Sequence, residues 1–136
     1  AKKNEFQEGD LAVYIEIDSL KIILLPCEIF PELVYGGYLG AEESATGCGA
    51  EINPIPLKEI IGDDVMILGL ANDELGYVLP PNDFLLHNEA PYFENGRDIH
   101  GRRHYEETNS LGPKTAEKIA ETVAEIICTV EKTKNI

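Results

Sequence analysis

Hydrophobic and polar positions change period several times along the chain, and the changes mark its elements. Leu11-Ala-Val-Tyr-Ile-Glu-Ile is rich in β-branched and aromatic side chains, and Lys21-Ile-Ile-Leu-Leu-Pro follows after a polar Asp18-Ser19 step. This pattern predicts two adjacent strands over residues 11–17 and 21–26. The second strand is apolar at nearly every position, as expected of a strand covered on both faces. Ile29 to Tyr38 has the spacing of a short helix, and Pro56 can open another that runs through Ile61 and stops at Gly62. Asp64-Val-Met-Ile-Leu-Gly-Leu reads as a third buried strand over residues 64–70. Ala116, Ile119, Ala120, Val123, Ile126, Ile127 and Val130 recur at three-and-four spacing, which predicts a long amphipathic helix over 113–131 with Pro113 as its first residue.

Two segments lack a period. Gly36, Gly37, Gly40, Gly47 and Gly49, interleaved with Ser44 and Thr46, suggest a flexible connection. About forty residues between the third strand and the last helix hold Pro80-Pro81, Asn95-Gly96 and all three histidines, and loops of that length in compact domains are usually functional or disordered. There is no internal repeat or internal boundary. The expectation is one α/β domain over 1–136: a mixed β-sheet with packed helices and the long C-terminal amphipathic helix.

Charge and composition remove several classes of function. A formal charge of −14 on 136 residues disfavours a phosphate backbone as partner, so nucleic acid is not expected. No run of about 18 apolar residues occurs, so no transmembrane segment is expected. The first ten residues have lysines without a following apolar stretch, which does not read as a secretion signal; they begin as though cut from something longer. Cys27, Cys48 and Cys128 lack paired spacing, which speaks against a disulfide framework or a cysteine zinc knuckle and mildly favours a reducing, cytoplasmic compartment.

The candidate chemistry is dispersed. Glu28 follows the end of a buried strand, from which a carboxylate can be aimed rigidly into a cleft; equally, it can simply begin the next helix. Tyr77 and Tyr105 flank the long loop, and a phenol can ligate a metal or donate to a developing oxyanion, although most tyrosines only pack. His100 and His104 stand at i and i+4, a zinc-binding spacing on a helix, but Gly101 between them favours a loop. Gly47-Cys-Gly49 has Ile52 where a dinucleotide loop needs its third glycine. Cys27 could pair with a histidine as a nucleophile, yet after a buried strand it reads better as a small apolar residue.

In order along the chain, Leu24-Leu-Pro-Cys-Glu28, then Gly69-Leu-Ala-Asn72 with Gly76-Tyr77, then His104-Tyr-Glu-Glu with Gly112-Pro113, together resemble the motifs of the neutral ceramidases. The likeness runs discontinuously from about Val13 to Val130. It implies a zinc-dependent amide hydrolase in which Glu28 and Tyr77 are metal ligands and Tyr105 stabilises the oxyanion. Two histidine ligands would come from an earlier part of the same protein, which makes that N-terminal half the implied partner and an N-acyl amide or lipid-like molecule the implied substrate. Two departures stand out: Cys27 replaces the glycine before the glutamate, and the Tyr77 to Tyr105 segment is longer, with His87, His100 and His104 matching no family ligand. The isolated chain is expected to bind zinc poorly and to catalyse nothing. The alternatives are a ligand-binding module that keeps the fold without the metal, and an interaction domain that covers its apolar surface by self-association. The sequence also leaves room for replacement ligands from His100 and His104.

Overall fold

A computed structural model of the protein describes residues 12–47, 53–86 and 97–134. Strand β1 (Val13–Ile17) and strand β2 (Leu20–Leu24) form an antiparallel hairpin whose pairing ends at Ile17↔Leu20. Asp18 turns the chain with φ 55°, a left-handed conformation that a short polar side chain tolerates. Strand β3 (Glu28–Ile29) follows, then helix α1 (Pro31–Tyr35), helix α2 (Leu57–Ile61) and strand β4 (Val65–Leu68). β4 lies parallel to β2, giving a mixed sheet in the order β1-β2-β4. Strand β5 (Tyr77–Val78) pairs in parallel with β3 as a separate two-stranded ribbon. Helix α3 (Thr115–Lys134) ends the described chain.

The α/β architecture with a mixed sheet and a long C-terminal helix matches the reading of the sequence, with local corrections. Ile29 is in a strand, and the expected helix over 29–38 shrinks to five residues because Pro31 opens it and Gly36, at φ 80°, closes it. Pro56 caps α2 from outside, and Gly62 at φ 81° stops it. Pro113 lies in the turn before α3, two residues short of the helix. The glycine-bearing segment is anchored as far as it is described. Ser44 and Ala45 are buried, and the Ala45 N–H donates to Asp83 Oδ1 at 2.6 Å. Cys48 and Gly49 lie outside the described residues.

Pro26 explains why the ribbon is separate from the sheet. It has no N–H to continue the β2–β4 ladder, and the chain opposite bulges outward over residues 69–76. Backbone bonds staple that bulge back: Leu70 N to Cys27 O (3.0 Å), Ala71 N to Leu25 O (3.0 Å) and Leu75 N to Pro26 O (2.6 Å). Gly69 is required there, because a Cβ would come within 2.8 Å of the Cys27 carbonyl oxygen.

Side chains of α3 (Ala116, Ile119, Ala120, Val123) and α2 (Leu57, Ile61) meet Ile23, Leu25 and Val65 in one buried core. Cys27 is fully buried within it. β2, expected to be covered on both faces, is covered on one. Ile23 is wholly buried, whereas its neighbours Ile22 and Leu24, on the other face, are only half-buried.

Candidate functional site

The ribbon is where the dispersed candidates meet. Glu28 and Tyr77 are direct register partners in the parallel β3–β5 pair. Partners in adjacent strands lie about 4.8 Å apart with their side chains on the same face, so a carboxylate and a phenol project side by side. Glu28 is exposed and Tyr77 half-buried. Backbone bonds on both sides hold this register, from Glu28 N to Gly76 O and from Phe30 N to Val78 O, each 3.0 Å.

Tyr105 arrives from the far end of the long loop. It precedes a 3-10 turn over Glu106–Asn109, and its carbonyl accepts from the Thr108 hydroxyl at 2.6 Å. That turn is set against β5 by Gly76: at φ 84° it faces the Asn109 carbonyl so closely that a Cβ would overlap the oxygen. The Tyr105 hydroxyl consequently stands 3.4 Å from that of Tyr77, with the two rings edge to face at 5.8 Å. Phe30 buttresses Tyr77 from its other side, edge to face at 6.4 Å. The hydrogen bond with Tyr105, partial burial and the Glu28 charge push the Tyr77 hydroxyl up to about 12, so it is a neutral phenol at pH 7.

Beside Glu28 opens a cleft of about 400 Å³, walled mainly by Cys27, Pro31, Val34, Tyr35, Ile67 and Leu70. Leu70 holds φ 53°, an uncommon conformation for a branched side chain, and it does so at the rim of this cleft. Cys27 contributes backbone and bulk, not nucleophilicity, because burial pushes its thiol up to about 12.

The histidines do other work. Residues 97–103 form a turn closed by an Arg97↔Arg103 bridge instead of a helix, so His100 and His104 share no helical face, and His100 is exposed. His104 is engaged at both ring nitrogens, with Nδ1 2.8 Å from Glu107 Oε1 and Nε2 3.2 Å from Asp98 Oδ2. The Glu107 carboxylate, working against burial and helped by Asp98, raises His104 to about 9, so the ring is an imidazolium at pH 7. His104, Glu106 and Glu107 lie close enough to form a metal group, and in this structure both ring nitrogens of His104 are engaged by carboxylates. His87 lies outside the described residues.

Asp98 is the hub that the sequence reading missed. Burial alone would raise its carboxyl, but bonds from the Arg102 side chain and backbone, from His104 and from the His100 N–H outweigh that and hold it well below the usual range. Arg102 also donates to the Glu43 carbonyl at 2.7 Å, tying the loop to the 40–47 segment. The Glu107 carboxylate accepts from Leu85 N at 3.1 Å and extends the anchor to the Pro81–Asp83 3-10 turn region. The signal was present in the i,i+4 spacing of Asp98 and Arg102 and the i,i+3 spacing of His104 and Glu107, but it lay inside a segment with no other period.

Glu28 and Tyr77 would offer a carboxylate and a phenol to a cation, two of the donors that a four-coordinate site needs. Comparison with family models, with curated proteins and with solved structures finds no match to this chain. Among the described residues, no helix is long and apolar enough to cross a membrane.

Proposed function

We propose that this chain forms the C-terminal part of a zinc-dependent amide hydrolase of the kind found in neutral ceramidases. Glu28 and Tyr77 supply two ligands and Tyr105 the oxyanion donor; the remaining ligands come from histidines elsewhere in the same protein. The observation that carries this reading is the Glu28↔Tyr77 register, which sets two residues 49 positions apart in sequence on one face, with the Tyr105 hydroxyl beside them.

Bound zinc would lower the pKa of its water and polarise the amide carbonyl. The chain's own residues have separate tasks. Glu28 and Tyr77 orient, because their backbone is bonded on both flanks. The Tyr105 hydroxyl, held by the 3-10 turn, would donate to the carbonyl oxygen. The largely apolar walls of the neighbouring cleft suit an acyl portion of the substrate.

The longer protein provides the test, with metal content measured by mass spectrometry and hydrolysis of a fluorogenic N-acyl amide as readouts. Glu28→Gln and Tyr77→Phe should lose both zinc and activity. Tyr105→Phe should keep the zinc and lose about 10²–10³-fold in kcat. Full zinc content and an undiminished rate in the first two variants would remove the assignment.

A further inference from the structure

The sheet has a second face that no described element of the chain packs against. Pairing puts Val13, Ile15 and Ile17 of β1 beside Leu24, Ile22 and Leu20 of β2, all pointing away from α3. Met66 and Leu68 of β4 join Ile22 and Leu24 on that side. Every position of the outer face is therefore apolar, in a chain with 26% charged residues. None of these side chains belongs to the core or packs against it. The opposite face carries the charged positions Glu16 and Lys21, and Glu16 pairs with Lys134 of α3.

A sheet with one wet face carries polar residues on that face, and in the antiparallel β1–β2 pair they would alternate with apolar ones. This one does not, so its outer face is built to be buried. Val13, Ile17, Leu20, Met66 and Leu68 are 40%, 64%, 45%, 50% and 43% exposed. With the half-buried Ile15, Ile22 and Leu24 they present roughly 500–600 Å² of apolar surface, near the upper limit for a monomer. Two copies would bury about 1,000–1,200 Å², which reaches the lower end of biological interfaces.

We propose that the outer face of the β1-β2-β4 sheet is an interface between two copies of this chain. Twisted sheets of like composition stack face to face at about 10 Å with their strands some 30° apart, and a two-fold axis through Ile22 brings each apolar row against its equivalent. The surface also selects against other occupants. Its described residues offer no cation to an anionic membrane, and Lys21 and Lys134, on the other side of the sheet, are paired with Asp64 and Glu16. With no charge in the contact, the overall charge of −14 stays on surfaces that a pair need not bring together. This inference does not depend on the hydrolase reading.

Sedimentation velocity on the chain should give twice the monomer mass at micromolar concentration. Met66, the single methionine, is a built-in probe. Its oxidation by peroxide should be at least about tenfold slower in the dimer than after dilution to monomer. Ile22→Lys, at the centre of the face, should weaken dimerisation at least about 100-fold while circular dichroism stays unchanged. If that variant misfolds, the concentration dependence of Met66 oxidation in the wild type decides. A monomeric wild type with Met66 freely oxidised would overturn the proposal. A monomeric longer protein with Met66 protected would also overturn it, by showing that another part of the same polypeptide covers the face.

Discussion

Replacing Gly76 by alanine separates two costs that the structure assigns to one position. The residue sits at φ 84°, where a side chain carries a left-handed penalty of about 1–2 kcal/mol. Its added Cβ would also overlap the Asn109 carbonyl oxygen, which is backbone and cannot rotate away. Forcing the 3-10 turn off β5 should add about 1–3 kcal/mol, by analogy with overpacked cores. Gly37 is the control: it holds φ 79°, yet a Cβ there meets nothing within 4 Å. Gly37→Ala should thus lose only the conformational part. Gly76→Ala should lose a total of about 2–5 kcal/mol, a large share of the 5–15 kcal/mol that holds an ordinary domain. Urea unfolding followed by far-ultraviolet circular dichroism measures both variants. Near-ultraviolet dichroism of the tyrosines, in a chain without tryptophan, reports whether Tyr105 has left Tyr77. Equal destabilisation of the two variants, with the tyrosine signal intact in both, would refute the claim that Gly76 locks the turn in place.

The ion cluster of the long loop should make stability depend on pH at both ends. His104 is raised from 6.5 to about 9, so its contribution is complete below pH 6.5 and lost as pH rises through 9; His104→Gln should flatten that decline in urea midpoints measured from pH 6 to 10. Asp98 is lowered, so its contribution is present above the ordinary carboxylate range and lost in acid, and Asp98→Asn should shift acid unfolding less steeply than in the wild type. In a Cys48→Ser background a thiol reagent should label exposed Cys128 quickly and buried Cys27 only on unfolding, with two fast thiols as the contrary result. The chain alone, with two donors, should hold zinc at least about 100-fold more weakly than the longer protein in a competition titration with a chromogenic chelator.

Periodicity alone was enough to place β1, β2, β4 and α3, because each is long enough for a face to repeat and each buries that face against the others. Composition likewise set an expectation about partners, since a charge of −14 disfavours a phosphate backbone. The two-residue strands β3 and β5 have no period to read; they exist because Pro26 breaks one ladder and Gly69 and Gly76 let the chain close in again beyond it. That pairing, and not local sequence, decides that Glu28 and Tyr77 stand side by side. Motif order suggested the trio Glu28, Tyr77 and Tyr105, but only packing of the Glu106–Asn109 turn onto Gly76 brings the third hydroxyl within reach of the second. The histidines show the converse. Their i,i+4 spacing was legible as a helical metal pair, whereas Asp98 closes the segment into a turn and both nitrogens of His104 are taken by carboxylates. Spacing along a chain fixes geometry only where the backbone is already regular; elsewhere, the contacts formed across the fold choose which side chains meet.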